Sequence, residues 1–301
     1  MVSVRTRKLA LTEGVIAGVL FGTAAIFIRF MPNLDTLSIV FWRLVIACLA
    51  LAAVLALFKK SFSFDLVRKN LVGLLVLSLF LGLHFTLFVS AVKDTTILNA
   101  TVLVNTTPIF SMVVSVLLLR LRPSRFSTAG MIISFVGVCI IAYAETVTAK
   151  GTNFSPSLKG DFEAILAALV ESFYLIYGKR IRSQMSILSI MLPIYLFAAI
   201  IVGAFGVAAS QTLALPYAAA IILSLLGLGI LSTAIAHTLY FSSLSNLKSF
   251  ETATMALLEP VGATILGIIF FHEIPAYLFI LGAALVLFGV LFIVKQKGQN
   301  A

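Results

Sequence analysis

The sequence predicts an all-α membrane protein with ten transmembrane helices, arranged as two inverted five-helix repeats. Three observations predict it. Only 11% of its 301 residues are charged and 61% are hydrophobic, against about 25% charged in an ordinary soluble chain. The apolar residues come in runs of about 20, long enough to span a hydrocarbon core of roughly 30 Å. The chain also matches itself when slid along its own length, prolines on prolines and glycines on glycines. The first two observations already exclude a soluble enzyme, a nucleic-acid-binding protein and a disordered chain.

The ten runs are 11–30, 36–58, 70–92, 97–119, 126–144, 160–180, 187–209, 217–240, 250–271 and 276–294. Each must be a helix, because backbone groups in lipid have to be satisfied within the segment. A barrel would need alternating polar residues facing a lumen, and Leu71–Leu83 and Val113–Leu119 do not alternate. Arg5, Arg7 and Lys8 resemble the basic leader of a signal peptide. The run behind them is too long and lacks a small-residue cleavage site, so it reads as a retained first span. The longest connection, 145–159, leaves no room for a soluble domain.

Charge sets the orientation. With the N-terminus in the cytoplasm, all of the 21 Lys and Arg fall inside except Arg29, Arg43, Lys93, Lys150 and Lys159. The positive-inside rule then places both termini in the cytoplasm. Cys48 and Cys139 lie within spans and read as small packing residues.

Between about 75 and 145 the repeat is carried without a gap by one offset, the 152 residues that separate Pro108 from Pro260. It also sets Pro123 on Pro275, Gly130 on Gly282, Gly137 on Gly289 and Ser90 on Ser242. Near the start of each half, Gly14 falls on Gly160. Because each unit has an odd number of spans, the second enters from the opposite side, giving a pseudo-two-fold axis in the membrane plane. Proteins built this way are mostly transporters with a midplane site. Pro108 and Pro260 each stand near mid-span, freeing the carbonyls of Val104 and Ala256. Those carbonyls are tolerated there if they face protein or a wet cavity; the alternative is a static kink. Gly14, Gly18 and Gly22 form a small-xxx-small stripe that admits a neighbouring helix.

The segment ETATMALLEPVGATILGIIFFHEIPAYLFILGAALVLFGVLFIV (251–294) resembles the end of an EamA domain of the drug/metabolite transporter superfamily. The marks are Glu259-Pro260, Glu273 after the ninth run, and the Gly282…Gly289 tail. Residues 99–143 resemble a weaker first copy, and FWRLVIACLAL (41–51) is similar to the family's second span. The resemblance covers almost the whole chain as two EamA units, 1–148 and 149–301. It implies a ten-helix permease of a bacterial or archaeal plasma membrane, an exporter of amino acids or related metabolites. It does not imply a particular substrate. Leu121 stands where the second copy has Glu273, so any role of that acid is not duplicated.

Charges at the bilayer centre are costly and need a reason. Glu171 shares one small, polar helical face with Ala164, Ala167, Tyr174 and Gly178. It reads either as a cavity carboxylate that binds a cationic group or carries a proton, or as a packed structural acid. Glu259, whose counterpart is Thr107, is a substrate contact or a carboxyl bonded to backbone freed by the kink. Asn105, on one stripe with Thr101 and Pro108, faces the centre or acts as interhelical glue. His84, one turn from Phe88, is a substrate contact or a satisfied structural imidazole. His237 and Tyr240 form a similar pair nearer the cytoplasmic end.

Arg43 could bind a substrate carboxylate, pair with Glu171, or snorkel outward while Trp42 anchors at the interface; the resemblance places an Arg here whatever the substrate. Glu13 reads as an interfacial partner of Arg7 or Lys8 rather than a proton-coupling acid. The candidate substrate-binding set is therefore His84, Phe88, Thr101, Asn105, Glu171, Tyr174, Tyr240 and Glu259. Arg43, Trp42, Pro108, Pro260 and His237 are candidate gating or structural residues.

Catalytic and energising motifs are missing from the sequence. Gly178-Lys179-Arg180 lacks the rest of a phosphate-binding loop, and His272-Glu273 is not followed by the second His of a zinc motif. There is no Gly-x-Ser-x-Gly turn. The expectation is a monomeric secondary transporter, not an enzyme, with a small-molecule substrate and lipid surroundings, driven by proton exchange or by the substrate gradient. No cofactor, metal or nucleic acid is expected. The alternatives are a uniporter or exchanger of another metabolite class (nucleotide-related, vitamin or drug), a channel or lipid translocator, and an intramembrane enzyme using Glu171, Glu259 and His84.

Overall fold

The structure, a computed structural model, describes residues 6–58, 62–95, 97–120, 123–148, 157–210, 213–214, 216, 218–262, 265–266 and 277–295. Every regular element among them is helical. In chain order these are α1 (Arg7–Phe21), α2 (Thr23–Arg29), α3 (Thr36–Leu57), α4 (Phe64–Lys69), α5 (Leu71–Asp94), α6 (Ile97–Val104) and α7 (Thr107–Leu119). They are followed by α8 (Arg125–Thr148), α9 (Leu158–Arg182), α10 (Ile187–Ala208) and α11 (Ala219–Gly227). A π-helix (Leu228–His237) leads into α12 (Thr238–Ser243), then α13 (Ser249–Met255), a 3₁₀ turn (Ala256–Leu258), α14 (259–262) and α15 (Tyr277–Lys295). Pro275, Glu273, Leu121, Arg5, Lys59, Lys60, Arg122, Lys150 and Lys297, on which parts of the repeat and orientation readings rest, lie outside the described residues.

Among the described residues, six helical stretches are long and apolar enough to cross a membrane: Arg7–Arg29, Thr36–Leu57, Leu71–Asp94, Ala100–Leu118, Ile187–Ala208 and Ala219–Ser243. Arg125–Ile141 and Tyr277–Ile293 are shorter apolar helices at the expected fifth and tenth runs. The sixth run is α9, which carries Asp161, Glu163, Glu171, Lys179 and Arg180 along its length. The bundle's outside is apolar, with Leu117, Val72 and Phe205 all exposed, as lipid-facing surfaces are. Cys139 is exposed there rather than packed inside, and Cys48 is half-buried.

Local chemistry sets the helix ends. Asp35 starts α3 by accepting from the Ser38 N–H at 2.8 Å, and Ser186 starts α10 by accepting from Ser189 N–H at 3.4 Å. The fourth run is broken rather than merely kinked. Helix α6 stops at Val104, Asn105 and Thr106 form a turn, and α7 restarts with Pro108 in its first turn. The Val104 carbonyl is not left unpaired as expected, because the Thr107 hydroxyl donates to it at 2.8 Å. At the matching point of the ninth run the helix narrows to the 3₁₀ turn, and the Glu259 N–H takes the Ala256 carbonyl. Both breaks have one cause, the N–H that proline lacks.

The eighth run also departs from a plain helix. Within its π-helical stretch the Thr233 carbonyl accepts from Tyr195 OH at 2.8 Å, while the Thr233 hydroxyl donates to Leu228 O five residues back. Such widened turns gather at functional sites.

Helices α8 and α15 make the most extensive contact and run antiparallel. Gly130 meets the backbone of Gly289, and Gly137 meets that of Gly282, so closely that no Cβ would fit at either crossing. Between them Ser134 donates to the Val286 carbonyl at 3.1 Å. Other contacts come in matched pairs. Helix α3 packs on the π-helix as α10 packs on α5, and α1 packs on α12 as α9 packs on α5.

Candidate functional site

The two helix breaks meet at one cavity. Val104, Asn105 and Thr107 line it from the first break, and Ala256 and Glu259 from the second. Helix α9 contributes Glu171, α5 contributes His84, Phe85 and Phe88, α3 contributes Arg43, and the π-helix contributes His237. Phe21 and Ala24 close the wall from the first span. The free space, mouth included, is about 460 Å³.

One wall is acidic. Asn105 Nδ2 donates to Glu259 Oε2 at 3.3 Å and to the Thr101 carbonyl at 2.7 Å. Thr107 Oγ1 lies 3.0 Å from Glu171 Oε2 and 2.8 Å from Val104 O. Its single hydrogen can serve only one of these acceptors at a time. Thr107 and Glu259 occupy matching positions of the repeat, so each helix break presents a polar group at the same depth.

His84 links this wall to the other. Its Nδ1 stands 3.0 Å from the Ala167 carbonyl. A carbonyl oxygen only accepts, so Nδ1 carries the hydrogen and Nε2 is the acceptor of the neutral ring. Glu171 Oε2 is 4.0 Å from that same Nδ1. The ring stacks on Phe88 and lies 6.2 Å from His237 between centroids.

The opposite wall is cationic and aromatic. Arg43 Nε donates to Thr233 Oγ1 at 3.1 Å, and its guanidinium carbon sits 3.6 Å from the Phe85 ring centroid. His237 packs against Phe85 and Phe21, with centroids 4.7 and 4.6 Å away.

These positions correct several expectations. Arg43 neither snorkels nor pairs with Glu171: it is 1% exposed and turned inward. Trp42 is held by its own bond, Nε1 donating to Leu213 O at 3.2 Å. Glu259 faces the Asn105 amide rather than kink-freed backbone. His237 lines the central cavity rather than standing near one end.

Thr101, Tyr174 and Tyr240 are buried but do not line the cavity. Thr101 donates to Ile97 O, Tyr174 OH lies 3.8 Å from Met191 Sδ, and Tyr240 packs edge-on against Phe21. Pro108 and Pro260 are buried at the breaks they cause.

Phe85, Phe21 and Thr107 complete the cavity without having been singled out from the sequence. Only Thr107 carried a signal, as the counterpart of Glu259. Among the described residues no group of His, Cys, Asp and Glu could hold a metal ion.

Polar networks tie each end of the bundle. At one, Arg7 reaches Glu251 through both carboxylate oxygens at 3.2 Å and also donates to Ile293 O. Ser127 and the Lys248 N–H complete the shell of Glu251. Arg7 thus pairs with Glu251, not with Glu13. At the other end Lys159 bonds Asp94 at 2.6 Å, and Thr95 donates to Asp161.

The EamA-like transporter family model matches residues 9–143 and 158–295. An uncharacterized transporter, YxxF, of Bacillus subtilis is 23% identical, with 99% of this chain and 94% of that protein covered. An uncharacterized transporter of Archaeoglobus fulgidus is 24% identical, with 97% of each chain covered. A solved crystal structure at 17% sequence identity superposes with a TM-score of 0.80, covering 96% of this chain and 97% of its own. That likeness supports the fold.

Proposed function

The chain belongs to the EamA-like transporter family, and from that premise we propose that it is a secondary transporter exporting a small polar metabolite, an amino acid or related compound. The observation that carries the proposal is the cavity, which lies where two broken helices meet and is lined by buried groups of both charges. Broken helices with polar groups at mid-bundle suit a substrate that must be stripped of water and released again.

The proposed mechanism is rocking of two inverted five-helix units, 1–148 and 149–301, around the cavity. The antiparallel contact of α8 with α15 and the matched helix pairs support this arrangement. The end networks at Arg7–Glu251 and Lys159–Asp94 are suited to act as alternating closures. Protons are the proposed coupling ion, carried by Glu171 beside His84. The proposed setting is a plasma membrane, with both termini in the cytoplasm and the chain a monomer.

Metabolite profiling of medium from overexpressing cells tests the proposal. A specific amino acid or relative should accumulate outside, and purified protein in liposomes should carry it with saturable counterflow. Unsaturable flux, or single-channel currents in a bilayer, would contradict it.

A further inference from the structure

Arg43 is a permanent cation buried at 1% exposure inside the bundle. Burial of such a charge is expensive without a counter-ion. Its surroundings supply only part of one. Nε is taken by Thr233, and the Phe85 ring gives a cation–π contact. Nη1 is buried with no hydrogen-bond partner among the described residues, and none of their carboxylates forms an ion pair with it. His237, packed on the same Phe85, has its Nδ1 buried and also without a hydrogen-bond partner among the described residues. Both side chains line the cavity.

We infer that Arg43 and His237 form a carboxylate subsite, in which the substrate's carboxylate is the missing counter-ion of Arg43 and Nδ1–H of His237 donates a second bond. The inference rests on the transport reading and deepens it by assigning one end of the substrate. The planar guanidinium fork matches a planar carboxylate. A single fixed cation suits a monoanion. A dianionic phosphate would share the cavity with Glu171 and Glu259 and meet only one arginine. Glu259 of the acidic wall is then left for the substrate's cationic group.

The test compares two probe pools on the full-length protein: the common amino acids and their α-amides, which differ only in the missing carboxylate. In detergent, the acid pool raises the thermal midpoint of the wild type and the amide pool does not. In liposomes the acids show saturable counterflow, and the amides compete at least tenfold more weakly. Arg43→Gln removes an unpaired buried charge, so the variant folds. It loses the acid-pool shift, and its half-saturation concentration rises by about 10- to 100-fold. Arg43→Lys, which keeps the charge without the fork, falls between the two.

Equal protection or equal competition by the amides overturns the subsite while leaving transport standing, and so does wild-type half-saturation in Arg43→Gln. If neither pool protects the wild type or is carried by it, both the subsite and the amino-acid reading fall.

Discussion

The Ser134 hydroxyl donates to the Val286 carbonyl at 3.1 Å, and the two residues stand 152 positions apart. That separation is the offset on which the two halves of the sequence match, so each residue touches its own counterpart. On either side, Gly130 meets Gly289 and Gly137 meets Gly282, the pattern a local two-fold axis produces. The contact admits no added methyl. Gly137→Leu and Gly282→Leu should each destabilise the protein by about 1–3 kcal/mol, read as a lowered thermal midpoint in detergent. Unchanged midpoints in both would remove this crossing from the core.

The Thr107 hydroxyl lies within reach of both the Val104 carbonyl and Glu171 and donates to one of them at a time. Thr107→Val keeps the shape and takes away the one donor these buried acceptors share, at a cost of about 1–3 kcal/mol. Thr107→Ser should restore the stability and the flux. If the valine variant matches the wild type in unfolding and counterflow, the hydroxyl does not hold the helix break.

Glu171→Gln should separate coupling from binding. With protons as the driving ion, the variant loses the acceleration of flux by an imposed pH gradient while retaining exchange of labelled for unlabelled substrate. A gradient response equal to that of the wild type would take proton coupling away from Glu171.

The two end networks should differ in weight. Glu251 is buried and receives Arg7, Ser127 and the Lys248 N–H, so Glu251→Ala should cost about 3 kcal/mol. The Lys159 side chain is 71% exposed, and Lys159→Ala should cost no more than about 1 kcal/mol. Thermal unfolding of the two variants side by side checks the order.

Much of this arrangement can be read from the sequence. A carboxylate, an amide or an imidazole in an apolar run is costly in lipid. That made Glu171, Glu259, Asn105 and His84 conspicuous, and the structure gathers them around one cavity. Proline and glycine were legible for backbone reasons: Pro108 removes a donor, and the stripe of Gly14 and Gly18 admits Met255 of a neighbouring helix. What was not legible depends on pairings between distant segments. Arg7 and Glu251 are 244 positions apart; the only local hint was an acid three residues into α13, where it caps the helix start. Arg43 could turn outward or inward with equal helical geometry, and the choice is made by Thr233 and Phe85 on other helices. The π-helix at Leu228–His237 has no sequence period of its own to distinguish it from an α-helix.

Access to the cavity from both sides of the membrane is the central claim, and Ala256 is the place to measure it. It lines the cavity, and its repeat counterpart Val104 lines it too. With Cys48 and Cys139 replaced by Ala, Ala256→Cys would be exposed to a membrane-impermeant thiol reagent from either face of sealed vesicles. The account predicts labelling from both faces, slowed from both by a transported substrate. Labelling from one face only, or labelling that the substrate leaves unchanged, would contradict it.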